Sequence, residues 1–223
     1  MIKIALLGFK GRARTFYDFF HKQKNKLENS INDKIEIKYI LVNDQNQQQE
    51  DFAEDKLFTT DFEKIILDPE VDIIIELSGE EDLALDFILK SLKKGKIVIT
   101  AGRKAIAENY KKLQEIKRKN NTEIFFGAST GPIPITEIIQ EFFLFDKIKK
   151  IEAVLNGSAN YILSLMEEET ISMKETINKV EDLVQPEIEF DADLEGLDIL
   201  YKISIISDSV FETNVEPKKI PSR

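Results

Sequence analysis

Short apolar runs alternate with amphipathic stretches along the first two thirds of the chain. The runs are rich in isoleucine and valine, which is typical of buried strands, whereas the stretches between them repeat apolar residues at helical spacing. Strands and helices that alternate in this way form parallel sheets joined by crossover helices. The strand-like runs are IKIALL, IEIKYILV, VDIIIEL, IVIT and TEIFFGA. The chain is therefore predicted to be an α/β protein.

The pattern changes after residue 146. A single strand-like run, KIKKIEAVL, leads into the loop NGSANY, and three helical stretches then extend to about Phe211. We therefore predict two domains. Residues 1–146 are expected to form a Rossmann-type, doubly wound parallel sheet that binds a dinucleotide, and residues 147–223 a smaller α+β domain.

Glycines and small polar residues follow the predicted strands, at the edge where doubly wound folds bind ligands. GFKGRAR departs from G-x-G-x-x-G, because Lys10 and Ala13 take the places of the second and third glycines. Each turn alone could be an ordinary tight turn, but together they favour a dinucleotide cleft. The residues expected to bind the cofactor are Gly8, Lys10, Gly11, Arg12, Asp44, Ser78, Gly79 and Thr100.

The position of Asp44 bears on which dinucleotide is bound. Asp44 follows the second strand, where an acidic residue binds the ribose diol of the cofactor. No arginine follows it, which favours NAD, although Lys10 and Arg12 could contact the 2′-phosphate of NADP. The cofactor is therefore expected to be NAD or NADP.

Composition argues against several other classes of protein. The net charge of −10 disfavours binding to nucleic acid or to anionic membranes, and no apolar run is long enough to span a bilayer. The chain has no cysteine and a single histidine, His21, which argues against thiolate chemistry, a histidine metal site and a Ser-His-Asp triad. We expect a soluble cytoplasmic protein.

A carboxylate and an ammonium group lie one helical turn apart near the end of the chain. If a helix begins near Asp193, the leucines that follow share one face and Asp198 lies next to Lys202. On its own, this spacing is most simply an exposed ion pair. A catalytic pair is the alternative, and the rest of the chain bears on the choice.

Segments along nearly the whole chain resemble homoserine dehydrogenases in their order and spacing. They are IELSG, GKIVITAGRKAIA, GASTGPIPI, LNGSANYILSLM and EIEFDADLEGLDILYK. The family motif D-[LV]-x-G-x-D-x-x-x-K is matched by Asp193, Leu194, Gly196, Asp198 and Lys202. Glu187 stands at the position of an upstream glutamate of the family.

The resemblance implies an NAD(P)-dependent homoserine dehydrogenase of amino-acid biosynthesis, which interconverts L-aspartate 4-semialdehyde and L-homoserine by hydride transfer. It implies that Lys202 protonates or stabilises the developing alkoxide and that Asp198 orients Lys202. Glu187 would bind the substrate ammonium, and Asp193 would hold Lys202 or the substrate hydroxyl. The wall of the substrate pocket would include Asn156, Gly157 and Ser158.

The chain also departs from the family. T-A-N-K of the family is TAGRK here, so Gly102 replaces the asparagine and the catalytic cation is Arg103 or Lys104. Phe126 and Gly127 occupy the neighbourhood of a glutamate that helps to hold a monovalent cation in the family, so no metal is expected. The chain ends about twenty residues after Lys202, so the catalytic and dimerisation domain is expected to be truncated relative to the family. Either the chain is a fragment or minimal version, or a partner subunit completes this domain, and a homodimer is expected.

Other interpretations stay open. GFKGRAR also resembles the G-x-x-G-R-M-G loop of dihydrodipicolinate reductases, although the paired-histidine motif of those enzymes has no counterpart here. Alternatively, the chain is a catalytically degenerate homologue that acts as a nucleotide-binding or subunit-interaction protein. Lys10, Gly102 and Phe126 favour that interpretation, whereas the retained charges of Asp198 and Lys202 oppose it.

Overall fold

The computed structural model describes residues 1–43, 55–131, 133–143, 145–183 and 196–221, except for the side chains of Asp55, Ser158 and residues 180–183. The chain divides into two compact units, Met1–Ser129 and Thr130–Arg223. This division lies earlier than the expected domain boundary at residue 146. The helix that begins after Pro134 therefore belongs to the second unit and not to the first.

The first unit is built on a sheet of six strands in the order β3-β2-β1-β4-β5-β6. All neighbouring strands are parallel, which confirms the predicted α/β class. The order reverses between β1 and β4, as it does in dinucleotide-binding folds of the Rossmann type. The strands are β1 (Ile2–Leu7), β2 (Ile35–Leu41), β3 (Phe58–Thr59), β4 (Ile73–Glu76), β5 (Ile97–Thr100) and β6 (Ile124–Phe125).

Helices connect β1 to β2 and each strand from β3 to β6 to the next, as the sequence predicts. The side chain of Asp61 accepts a hydrogen bond from the backbone N–H of Lys64, so Asp61 caps the second helix. The first helix is long, which accounts for the wide spacing between the first glycine turn and the second strand. The helices of this unit are α1 (Gly11–Ile31), α2 (Phe62–Leu67), α3 (Glu81–Lys93) and α4 (Arg103–Asn120).

The core of the first unit holds the carboxyl ends of the strands in place. Residues from Ile4 to the end of β1 are all buried, because parallel sheets are covered on both faces. On one face, α1 contributes Ala13, Tyr17 and Phe20 to a cluster with β1 and β2. The turns that leave this edge of the sheet therefore start from fixed points.

A cluster of charged groups lies near the beginnings of β4 and β5. The Lys38 ammonium lies 2.6 Å from the Asp68 carboxylate, which also accepts a hydrogen bond from the Tyr39 hydroxyl. The buried Lys96 ammonium donates to the backbone carbonyls of Asp68 and Val71, at 2.7 and 2.6 Å. These contacts tie the loop before β4 to β2 and to the start of β5.

The second unit consists mainly of helices in the residues that are described. Its helices are α5 (Ile135–Phe142), α6 (Gly157–Glu169), α7 (Met173–Leu183) and α8 (Leu197–Phe211). Helix α5 packs against α8, and α6 packs against α7. The prediction of a strand at KIKKIEAVL is wrong, because residues 147–156 lie in no helix or strand. A strand needs a neighbouring strand for its hydrogen bonds, and the described part of this unit supplies none.

The end of α8 is tied to the segment that follows it. The buried Asp208 carboxylate accepts hydrogen bonds from the Thr213 hydroxyl and from the Val215 N–H, and the Ser204 hydroxyl donates to the Val215 carbonyl. Helix α8 is thereby fixed at its C-terminal end. In the described ranges, no helix combines the length and the apolar character needed to cross a membrane.

Candidate active site

The turn after β1 closely approaches the turn after β4. Gly8 has φ of +94°, and a Cβ atom there would lie 2.7 Å from the Ser78 Cα and 2.9 Å from the Leu77 carbonyl oxygen. The N–H of Gly8 also donates to the carbonyl of Leu41 at the end of β2. Only glycine fits between these two strand ends, as the first glycine of a dinucleotide loop requires.

The start of α1 fits a phosphate group. Gly11 has φ of +45°, and a Cβ atom added there would have no atom within 4 Å, so the space beside it is open. Ala13 is fully buried and supplies the close packing of helix on sheet that the third glycine normally permits. Lys10 and Arg12 are exposed, and the first turn of α1 has no acidic residue. Helix amides and cations at this end favour an anion.

Glu76 is a buried carboxylate that the sequence interpretation missed. It ends β4 and is only 2% exposed. One carboxylate oxygen accepts from both the N–H and the hydroxyl of Ser78, at 3.0 and 2.7 Å. The other accepts from the Thr100 hydroxyl at 2.5 Å. Ser78 and Thr100, which were predicted to bind the cofactor, are thus both hydrogen-bonded to one carboxylate.

The TAGRK turn is packed against this carboxylate. A Cβ atom on Gly102 would lie 3.0 Å from the second Glu76 carboxylate oxygen and 3.1 Å from the Thr100 hydroxyl. A residue with a side chain, such as the asparagine of the family motif, would therefore force both groups to move. Arg103 begins α4 and is partly buried. The Lys104 ammonium lies 3.5 Å from the Asp82 carboxylate at the start of α3.

The end of β2 is linked to the start of α3. The side-chain amide of Asn43 donates to the Glu80 carboxylate at 3.1 Å, and Glu80 is the residue that precedes α3. Gly79, just before it, has φ of +73°, which explains a glycine at this turn. Asp44, the expected ribose ligand, lies outside the described residues.

In the second unit, Lys202 and Asp198 lie beside the NGS loop, which consists of Asn156, Gly157 and Ser158. Both charged side chains lie on α8, and the Lys202 ammonium is 2.6 Å from the Asp198 carboxylate. The same ammonium donates to the carbonyl of Leu155 at 2.7 Å. The Lys202 and Asp198 side chains are 12% and 9% exposed, so the interpretation as an exposed surface pair is wrong.

The loop beside this pair is itself ordered by a side chain. Asn156 is buried and precedes α6, and its side-chain oxygen accepts from the N–H of Ala159 at 2.8 Å. Gly157 is the first residue of α6 and is exposed. Glu187 and Asp193, like the side chain of Ser158, lie outside the described part of the chain.

Phe126, in the neighbourhood where the family has a glutamate, is buried beside another aromatic ring. Phe126 is 5% exposed, and its ring lies edge-on to Tyr110 with 5.8 Å between ring centroids. A buried phenyl ring supplies no oxygen ligand. Within the described ranges, no group of three or more histidine, aspartate or glutamate side chains could hold a metal ion.

Comparison with known proteins relates both units to one family. Residues 14–127 match the family described as homoserine dehydrogenase, NAD binding domain, and residues 134–223 match the family described as homoserine dehydrogenase. The homoserine dehydrogenase of Lactococcus lactis is 28% identical over 98% of this chain, which covers 52% of that relative. The chain thus spans about half the length of the curated relatives that it matches.

Solved structures agree with this relationship. A crystal structure of S. aureus homoserine dehydrogenase is 27% identical, with a TM-score of 0.81 over 98% of this chain and 52% of that one. A hyperthermophilic archaeal homoserine dehydrogenase in complex with NADPH has a TM-score of 0.80 over 95% of this chain and 70% of that one. Its identity is 19%, so that likeness shows the fold alone.

Proposed function

Because this chain belongs to the homoserine dehydrogenase family, we propose that it interconverts L-homoserine and L-aspartate 4-semialdehyde by hydride transfer with NAD or NADP. The observation that carries the proposal is the buried Lys202 and Asp198 pair beside the NGS loop. A buried ion pair is costly to desolvate and contributes little net stability, so its presence is more readily explained by chemistry than by folding. The pair therefore weighs against a catalytically degenerate homologue.

The first unit supplies the groups that suit a dinucleotide. The open space beside Gly11 and the amides at the start of α1 would hold the pyrophosphate, with Lys10 and Arg12 nearby. The close approach of Gly8 to Ser78 shapes the crevice at the point where the strand order reverses. When bound, the dinucleotide supplies the nicotinamide ring that accepts or returns the hydride.

Lys202 is proposed to control the proton on the substrate oxygen. In the reduction direction, its ammonium stabilises the negative charge that develops on the aldehyde oxygen and donates a proton to it. Contacts with the Asp198 carboxylate and the Leu155 carbonyl keep the ammonium in one place. Glu187 and Asp193 are proposed to bind the substrate ammonium and hydroxyl, and Arg103 or Lys104 to supply a second cation.

We also propose that the protein is a cytoplasmic homodimer. Phe142, Phe143 and Phe145 are exposed at the end of α5, and a cluster of large apolar side chains on a surface marks an interaction site. The absence of cysteine is compatible with a reducing compartment. Light scattering after size-exclusion chromatography measures the mass directly, and a monomer at micromolar concentration would contradict the proposed dimer.

A pair of assays with the purified chain tests the proposed function. NADH or NADPH formation is followed by absorbance with L-homoserine and either oxidised cofactor, and the rise in melting temperature with each cofactor is measured in parallel. Both signals are expected. Cofactor stabilisation without turnover would select the degenerate homologue, and the absence of both signals would overturn the cofactor assignment as well.

A further inference from the structure

We propose that Glu76 is a positioning residue for the nicotinamide half of the cofactor cleft. This inference rests on the proposed use of NAD or NADP. Glu76 lies at the carboxyl end of β4 and pairs directly with Thr100 at the end of β5. In a doubly wound sheet, each half binds one mononucleotide, and β4 and β5 belong to the half opposite β2 and β3.

The hydrogen bonds of Glu76 form two arms of the same design. In one arm, the N–H of Glu80 donates to the Ser78 hydroxyl at 3.2 Å, and that hydroxyl donates to Glu76 at 2.7 Å. In the other arm, the N–H of Gly102 donates to the Thr100 hydroxyl at 2.8 Å, and that hydroxyl donates to Glu76 at 2.5 Å. Each arm therefore runs from a backbone amide through a hydroxyl to one carboxylate oxygen.

Both arms end where a helix begins. Glu80 immediately precedes α3, and Gly102 immediately precedes α4. A single carboxylate thus sets the entry of two helices at the ligand-binding edge. Arg103 and Lys104, which open α4, depend on the same turn for their positions.

The chemistry of the two arms requires a carboxylate. Each hydroxyl already accepts an N–H, so it presents its own proton to Glu76. Glutamine keeps the shape of Glu76 but replaces one oxygen by an NH₂ donor, which would face a hydroxyl proton. The hydroxyl in that arm must then turn its proton away and accept from the NH₂, or lose the contact, and the turn at its end is held less firmly. Thr100→Val removes only the second arm and keeps a β-branched residue in β5.

Calorimetric titration separates a positioning role from a general loss of structure. NAD⁺ and ADP are titrated into the wild-type chain, Glu76→Gln and Thr100→Val, with Glu115→Gln as a control on the exposed surface of α4. ADP probes the adenosine half alone. We expect each of the first two variants to bind NAD⁺ about tenfold more weakly, while its affinity for ADP changes by less than about twofold.

Two other binding results would overturn the inference. If the variants bind NAD⁺ and ADP equally more weakly than the wild-type chain, Glu76 has a structural role only. If their affinities for both ligands are unchanged, Glu76 does not position the cofactor site. If Glu76→Gln does not fold, Thr100→Val carries the test. NADP⁺ takes the place of NAD⁺ in the titration if the wild-type chain prefers it, and a wild-type chain that binds neither would overturn the inference with the cofactor assignment. A selective loss of NAD⁺ affinity in a chain without homoserine turnover would instead sustain the inference and refute the proposed reaction.

Discussion

Alanine in place of Gly8 is expected to destabilise the first unit by about 2–5 kcal/mol. The added Cβ atom would meet the Ser78 Cα at 2.7 Å and the Leu77 carbonyl oxygen at 2.9 Å. Both are backbone atoms, so neither can rotate away, and relieving this overlap costs about 1–3 kcal/mol. The φ of +94° adds roughly 1–2 kcal/mol for any residue with a Cβ atom.

Gly95→Ala is the matched control for this substitution. Gly95 has φ of +74°, but a Cβ atom there would have no atom within 4 Å. Only the backbone cost of about 1–2 kcal/mol applies at this position. Urea unfolding of the two variants beside the wild-type chain gives both free energies, and their difference isolates the steric overlap at Gly8.

The two variants should also differ in cofactor binding. Relief of the overlap pushes the β1 turn away from the β4 turn, where the crevice is proposed to lie, so Gly8→Ala should weaken NAD⁺ binding and Gly95→Ala should not. Equal destabilisation by the two substitutions would refute the close approach of the turns. Unaltered NAD⁺ affinity in a destabilised Gly8→Ala chain would refute the placement of the crevice.

Further predictions concern the charged cluster near β4 and the cap of α6. Lys96→Met should cost about 2–3 kcal/mol by urea unfolding, since it removes a buried ammonium that donates to the Asp68 and Val71 carbonyls, whereas the exposed Lys93→Met should stay within about 0.5 kcal/mol. The hydrogen bond from Lys38 lowers the pKa of Asp68 to about 2, so the stabilisation is complete above the unfolded pKa of 3.8 and is lost as the pH falls toward 2. Asp68→Asn should accordingly cost roughly 1–2 kcal/mol at neutral pH and almost nothing near pH 2; a constant difference would contradict this linkage. Asn156→Ala should cost about 1 kcal/mol through the lost cap, and no change in the melting temperature would refute that role.

The fold of the first unit could be predicted because the sequence patterns that indicate it are local. Apolar runs that alternate with helical spacing indicate a parallel sheet, and a glycine after the first strand marks the phosphate turn. The role of Glu76 could not be predicted in this way. It depends on the register that pairs Glu76 with Thr100 and on hydroxyls that converge from two different turns. A glutamate at the end of an apolar run carries no local sign of burial.

The structure of the second unit could also be predicted from the sequence only in part. The spacing of Asp198 and Lys202 predicts their ion pair, but not its burial, which involves a contact with Leu155 from a distant part of the chain. The apolar character of KIKKIEAVL suggests a strand, yet strand formation requires a partner that local sequence does not specify. Local patterns thus predict helices, strands and the ion pairs within one helix. The burial of a side chain and the pairing of strands depend on tertiary contacts.

Lys202 is proposed to serve the chemistry of homoserine oxidation and not only the packing of α8. Replacing Lys202 alone would leave the Asp198 carboxylate buried without its cation, so the test uses Lys202→Met together with Asp198→Asn. The control is Lys219→Met with Glu216→Gln, which removes an exposed ion pair from the same unit. Melting temperature and NAD⁺ affinity are measured to establish that each protein is folded.

The deciding measurement is kcat for homoserine-dependent cofactor reduction by these variants. We expect a fall in kcat of at least about a hundredfold for the buried pair, with cofactor affinity retained, and no more than about a twofold change for the exposed pair. A folded double variant of Lys202 and Asp198 that turns over homoserine at the wild-type rate would refute a catalytic role for Lys202.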